Sequence, residues 1–137
     1  MGKVKILLIE DSAEDIELTR EAFLELCPSV ELLTARDGAT AMEILRAGDT
    51  PSLVLLDLNL PRMNGREVLR EIKSDPQLAT IPVIILTTSS ANDDVLEAYR
   101  NHANCYLTKP LHFEQFLEQM RGLHRFWGEL AKLPPAS

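Results

Sequence analysis

Three carboxylates and one lysine in this chain each follow an aliphatic run. Glu10 and Asp11 close the run Val4 to Ile9, Asp57 closes Leu53-Val-Leu-Leu, and Lys109 comes just after Tyr106-Leu-Thr. Three like charges brought close repel strongly unless a cation joins them. Oxygen ligands of this kind select a hard divalent ion, for which Mg²⁺ is the expected choice because it keeps waters and accepts phosphate oxygens. Two alternatives stand beside that reading: one carboxyl is protonated, or the acids fan into solvent. A carboxylate held beside such an ion can attack a phosphoryl group and form an acyl phosphate. Asp57 is the acid whose position is fixed by the strand leading into it. Thr87, which ends Pro82-Val-Ile-Ile-Leu, offers a hydroxyl at the same edge. Lys109 supplies positive charge, and Asn59 can lend a main-chain carbonyl to the metal.

Such groups meet only if strand ends bring them together. Aliphatic runs without polar alternation read as strands buried on both faces, as in a parallel sheet covered by helices. Strands are expected at Val4 to Ile9, Glu31 to Ala35, Leu53 to Asp57, Pro82 to Thr87 and Asn104 to Leu107. Helices are expected at Ala13 to Leu26, Gly38 to Ala47, Asn64 to Ser74, Ala91 to Asn101 and His112 to about Leu130. Five strand–helix alternations imply an α/β fold with a five-stranded, doubly wound parallel sheet. In the order 2-1-3-4-5 the first and third strands are neighbours at the switch point, where ligands bind beyond the carboxyl ends. Ser12 is placed to cap the first helix, with Asp15 adding charge to its first turn. Asp37-Gly38 and Asn64-Gly65 read as turn or helix-entry pairs.

The bulk properties narrow the function classes. At 137 residues with 45% hydrophobic content, the chain suffices for one domain with its own core. A net charge of −7 argues against nucleic acid as a partner. No run reaches the roughly 20 apolar residues needed to cross a bilayer, and no signal peptide is visible, so the expected location is cytoplasmic. Cys27 and Cys105 lack a second cysteine at metal-ligand spacing and are expected to be reduced thiols. No GxxxxGK[ST] or GxGxxG loop is present, so a phosphoryl donor should be another protein rather than a nucleotide bound here. His102, His112 and His124 are read as surface or helix-packing residues, away from the acids.

The last helix runs past the core. Phe113, Phe116, Leu117, Met120, Leu123, Trp127 and Leu130 recur at helical spacing, followed by Leu133 and Pro134-Pro135. The surplus either folds back over its own core or packs against a second copy. The second is favoured, because a small monomer would otherwise leave an apolar patch in water. The chain therefore divides into a domain over residues 1–122 and an extension over 123–137 expected to dimerise.

Taken together, Leu8-Ile9-Glu10-Asp11, Leu55-Leu56-Asp57-Leu58-Asn59-Leu60-Pro61, Gly65, Pro82 to Thr87 and Leu107-Thr108-Lys109-Pro110 resemble the receiver domain of two-component response regulators, from about Lys3 to Gly122. The fold implied is flavodoxin-like, with five helices. The resemblance implies that Asp57 is the phosphoacceptor for a partner histidine kinase. It implies that Glu10, Asp11, Asp57 and the Asn59 carbonyl hold Mg²⁺, that Thr87 and Lys109 sense the phosphoryl group, and that Tyr106 is the aromatic switch. It also implies a cis Lys109–Pro110 bond. Two positions depart mildly: the acidic pair is Glu-Asp rather than Asp-Asp, and Thr88 stands where a smaller residue is often found.

A narrower likeness lies in Asn59-Leu-Pro, Thr87-Thr88-Ser89, Asn104 to Lys109, Phe126-Trp127 and Leu133-Pro134. These resemble the single-domain regulators paired with phytochrome-type histidine kinases, which dimerise through their last helices. The implied role is a phospho-acceptor signalling protein rather than an enzyme, with intrinsic self-phosphorylation from small donors and self-dephosphorylation. Its output would be protein contact, with no DNA-binding domain. An aspartate-nucleophile phosphatase would need an acid where Asn59 stands. A flavodoxin-type flavin binder would need a hydroxyl- and glycine-rich loop where Glu10 to Asp15 is acidic.

Overall fold

The computed structural model describes residues 4–48 and 50–134. Five strands, β1 (Lys5–Ile9), β2 (Glu31–Ala35), β3 (Leu53–Leu56), β4 (Val83–Thr87) and β5 (Cys105–Thr108), alternate with five helices. The helices are α1 (Ala13–Leu26), α2 (Gly38–Arg46), α3 (Gly65–Ser74), α4 (Asn92–Arg100) and α5 (Phe113–His124). All strand pairs are parallel and the order is β2-β1-β3-β4-β5.

Alternate side chains of each strand serve opposite layers. Along β1, Ile6 and Leu8 join Phe23 of α1 and Phe116 and Met120 of α5. Leu7 and Ile9 join Met42 and Leu45 of α2 and Leu69 and Ile72 of α3. Apart from Lys5 at the start of β1 and Thr87 at the end of β4, the inner strands β1, β3 and β4 are apolar on both faces, which is why their sequences read as aliphatic runs.

The helix entries place the strand-end loops. Ser12 Oγ accepts the Asp15 N–H, Asp37 Oδ1 accepts the Thr40 N–H, and Asn64 Oδ1 accepts the Arg66 N–H. Gly65 is required for space: a Cβ there would lie 2.2 Å from the Asp57 carbonyl oxygen and 2.6 Å from Leu58 Cα. The loop after β3 thus folds directly against the backbone of Asp57.

Two expectations need correction. The Lys109–Pro110 bond is trans, since no peptide bond among the described residues is cis. Trans is the ordinary isomer before proline, favoured by roughly 0.5–1 kcal/mol, and in it the Lys109 N–H reaches the Thr87 carbonyl at 2.7 Å. The last helix also does not run unbroken to Leu130: α5 ends at His124 and a π-helical turn spans Arg125–Leu130. Trp127 in that turn is half-buried against the core layer of α1 and α5. Phe126 remains 51% exposed and meets the Trp127 ring edge-on at 5.2 Å. Leu133 lies with Trp127 over a cavity floored by Phe23, Val30 and Leu53. The fold-back reading therefore accounts for Trp127 and Leu133 but not for Phe126. Lys3 and Pro135 lie outside the described residues, as do the first residue of the segment 1–122 and the last of the segment 123–137.

Candidate phosphoryl-transfer site

Register delivers the acids to one point. Ile9 pairs with Leu56, and the Asp57 N–H donates to the Ile9 carbonyl at 3.0 Å. The residues that follow these two strand ends, Glu10 and Asp57, consequently emerge side by side. Thr87, the last residue of β4, donates its hydroxyl to Asp57 Oδ1 at 2.9 Å. The Asn59 N–H donates to the same oxygen at 3.0 Å. The other oxygen, Oδ2, accepts from Lys109 Nζ at 3.2 Å. Both oxygens of this buried carboxylate are therefore oriented, one by a hydroxyl and an amide, the other by an ammonium.

Lys109 has two further partners. Its ammonium donates to Glu10 Oε2 and, at 2.8 Å, to Asp15 Oδ2 in the first turn of α1. Burial alone would lower the lysine pKa, but the hydrogen bonds to Asp15 and Glu10 and the charges of Glu10 and Asp57 outweigh it and raise it. Glu10 is 2% exposed. Its burial raises the carboxyl from 4.5 to about 7, against the lowering effect of the Lys109 hydrogen bond and charge. Glu10 Oε1 also accepts the Ser12 N–H at 3.1 Å.

Glu10, Asp11 and Asp57 each present an oxygen within 4.8 Å of the others, with Glu10 and Asp57 buried and Asp11 exposed. Three convergent carboxylate oxygens fit a hard divalent cation, and this cluster could hold one. The cluster opens beside a cleft of about 220 Å³ whose lining includes Glu10, Asp15, Lys109, His112 and Phe116.

The residues singled out from the sequence thus converge. Glu10, Asp11, Asp57, Thr87 and Lys109 share one edge, and Asn59 borders it through its N–H. Tyr106 stands one strand away. Its half-buried ring packs against the layer of α2, α3 and α4, and its hydroxyl donates to the Ser89 carbonyl at 2.9 Å. Two residues escaped the sequence reading. Asp15 appeared only as a helix-entry charge, yet it binds Lys109. His112 appeared remote from the acids, yet it lines their cleft; its closeness in sequence to Lys109 was the available signal.

Comparison with known proteins agrees with this geometry. The model of the response regulator receiver domain matches residues 6–121. Response regulator Rcp1 of Synechocystis sp. (strain PCC 6803) is 44% identical over 137 residues, covering 96% of this chain and 93% of that protein. The phosphorylated cyanobacterial phytochrome response regulator RcpA superposes with a TM-score of 0.93 at 45% identity, covering 98% of this chain and 100% of that one. The Mn(2+)-bound form of response regulator Rcp1 gives 0.91 at 44% identity, with the same coverage.

Proposed function

The chain belongs to the response regulator receiver family, and on that premise we propose that Asp57 is its phosphoacceptor. Glu10, Asp11, Asp57 and the Asn59 carbonyl are the proposed ligands of Mg²⁺, which when bound offsets charge on phosphoryl oxygens. An oxygen of the Asp57 carboxylate attacks phosphorus, a P–O bond forms, and the bond from phosphorus to the donor breaks. When the donor is a phosphohistidine protonated on its other ring nitrogen, the nitrogen bonded to phosphorus leaves with the electron pair and the neutral imidazole is restored. Lys109 and Thr87 turn from the Asp57 oxygens to the new phosphoryl oxygens, the ammonium meeting their charge and the hydroxyl donating to one of them. The observation that carries this reading is that one buried carboxylate has Thr87 on one oxygen and Lys109 on the other, beside two further acids.

The family role makes a histidine kinase the phosphoryl donor. The likeness to Rcp1 and RcpA supports a phytochrome-type kinase in particular. The free thiols Cys27 and Cys105 suit a reducing compartment, in keeping with a cytoplasmic location. Among the described residues no helix is long and apolar enough to cross a membrane. Residues 123–137 are the proposed dimerisation element, supported by the exposed Phe126 beside the half-buried Trp127. Movement of Thr87 would bias Tyr106 between its present bond to the Ser89 carbonyl and a second arrangement, giving a partner a surface to read.

The test is phosphoryl uptake from acetyl phosphate with Mg²⁺, followed by intact mass. The wild-type chain is expected to gain one labile phosphoryl group and Asp57→Asn none. An Asp57→Asn chain that gains the same adduct overturns the assignment.

A further inference from the structure

Among the described residues, Lys109 is the only side chain that hydrogen-bonds both Asp57 and a carboxylate outside the metal cluster. Its three N–H bonds have three acceptors: Glu10, Asp57 and Asp15. The first two are claimed by other chemistry in the proposed function, since Glu10 is a proposed ligand and Asp57 the nucleophile. Asp15 is neither, and its oxygens are not among those that gather within 4.8 Å. Its own place is well fixed. Its N–H donates to Ser12 Oγ at 3.2 Å, and its carbonyl accepts from the buried Thr19 hydroxyl at 2.8 Å.

We propose that Asp15 is a positioning residue for phosphoryl transfer: it holds the Lys109 ammonium over the Asp57 carboxylate while the lysine's other two partners are engaged elsewhere. The proposal rests on Asp57 being the phosphoacceptor. A lysine stem has four rotatable bonds, and an ammonium anchored on one side only would sample positions away from the reacting oxygens. A carboxylate at 2.8 Å, carried on a backbone held at the start of α1, removes much of that freedom before the donor arrives, which is how pre-organisation lowers a barrier. The anchor comes from the helix, not from the strand-end loops that must move. It can therefore persist through the transfer.

Asp15 also adds negative charge to the start of α1, a purely structural role. Glu14 lies in the same turn and shares that role, but no ion pair with Lys109 includes it among the described residues. It is therefore the control. The rate of adduct formation from acetyl phosphate is measured in the full chain for wild type, Asp15→Ala, Asp15→Asn, Asp15→Glu and Glu14→Ala, together with Mg²⁺ affinity by calorimetry.

Asp15→Ala is expected to slow the reaction by roughly ten- to a hundredfold, the scale of a small misplacement of a reacting group. Asp15→Asn should fall between, Asp15→Glu should recover most of the rate, and Glu14→Ala should match wild type. Mg²⁺ affinity should change by less than about threefold in Asp15→Ala, because a second carboxylate outside the ligand set adds only a screened charge. Equal rates in Asp15→Ala and Glu14→Ala overturn the proposal. So does a faster Asp15→Ala, which would mean the carboxylate draws the lysine away. A wild-type chain that gains no phosphoryl group overturns the reading of Asp57 as well, and so separates the two failures.

Discussion

Glu10→Gln separates the electrostatics of the site from those of the rest of the fold. In the folded chain burial lifts the Glu10 carboxyl from 4.5 to about 7. Between those values the folded chain keeps a proton that the unfolded chain has released. Stability from this group is therefore complete below pH 4.5 and is lost as the pH rises through about 7. At about 1.4 kcal/mol per pH unit the whole loss amounts to about 3 kcal/mol. The group is almost wholly buried, so little of that is screened by solvent. Other acids act with the opposite sign. The Thr40 N–H holds Asp37 below its ordinary value, and the Ser89 hydroxyl and Arg66 do the same for Asp94. Those groups are present in both chains, so their effects cancel in the difference. Urea unfolding at pH 5 and pH 8 in the absence of divalent ions should show the wild type losing about 3 kcal/mol more than Glu10→Gln over the interval. Adding Mg²⁺ should restore the wild type most at the higher pH, because a metal ligand must be deprotonated. Parallel pH profiles for the two chains would refute the reasoning.

Thr87→Val keeps the buried shape but removes the hydroxyl that donates to Asp57. It should cost roughly 1.5–3 kcal/mol in urea unfolding, as loss of a bond to a charged acceptor does, and it should slow phosphoryl uptake. A cost under about 0.5 kcal/mol would place the hydroxyl outside the site's energetics. Gly65→Ala forces a methyl against the Asp57 carbonyl and Leu58 Cα, neither of which can yield as a side chain would. A loss of about 3 kcal/mol is expected by denaturation, and a neutral result would show that the loop after β3 relaxes freely. Trp127→Ala should lower the sedimentation mass at micromolar concentration and abolish any concentration dependence of the urea midpoint. An unchanged mass would assign the tryptophan to its own core alone.

Most of the architecture was legible because the sheet is parallel. A strand covered on both faces must be apolar throughout, and Leu53-Val-Leu-Leu or Val83-Ile-Ile-Leu cannot be much else. Helix entries were legible where a single residue makes the cap, at Ser12, Asp37 and Asn64. The site was legible where the strand ends themselves carry the chemistry. What stayed hidden depends on side-chain reach. Asp15 sits in the first turn of α1, 94 residues from Lys109, and its charge at the helix entry explained it fully until the contact was seen. The hydrogen bond from Tyr106 to the Ser89 carbonyl joins a strand to a loop with no sequence pattern of its own. The π-helical turn was hidden for another reason. Apolar spacing of three and four fits a regular helix equally well, and a wider turn alters where Phe126 and Trp127 point without altering the pattern.

Under the proposed function, the charge balance of the site would make these residues a switch rather than a fixed structural cluster. Lys109 is shared among Glu10, Asp15 and Asp57, and Glu10 and Asp57 are both buried. A buried carboxylate without a counter-charge is costly, so departure of the ammonium from Asp57 is opposed until another positive group, or a bond to phosphorus, takes its place. Phosphorylation of Asp57, as proposed, would supply that replacement and at the same time add acceptors that compete for Lys109 and Thr87. Thr87 cannot follow the phosphoryl oxygens without drawing on the loop after β4. That loop is tied to α4 through Ser89 and Asp94 at 2.5 Å, and through Asp94 to Arg66 of α3 at 3.1 Å. On the proposed function, a change of counter-ion at one carboxylate would thereby become a pull on two helices, and the face around Tyr106 and α4 is where a partner protein would sense it.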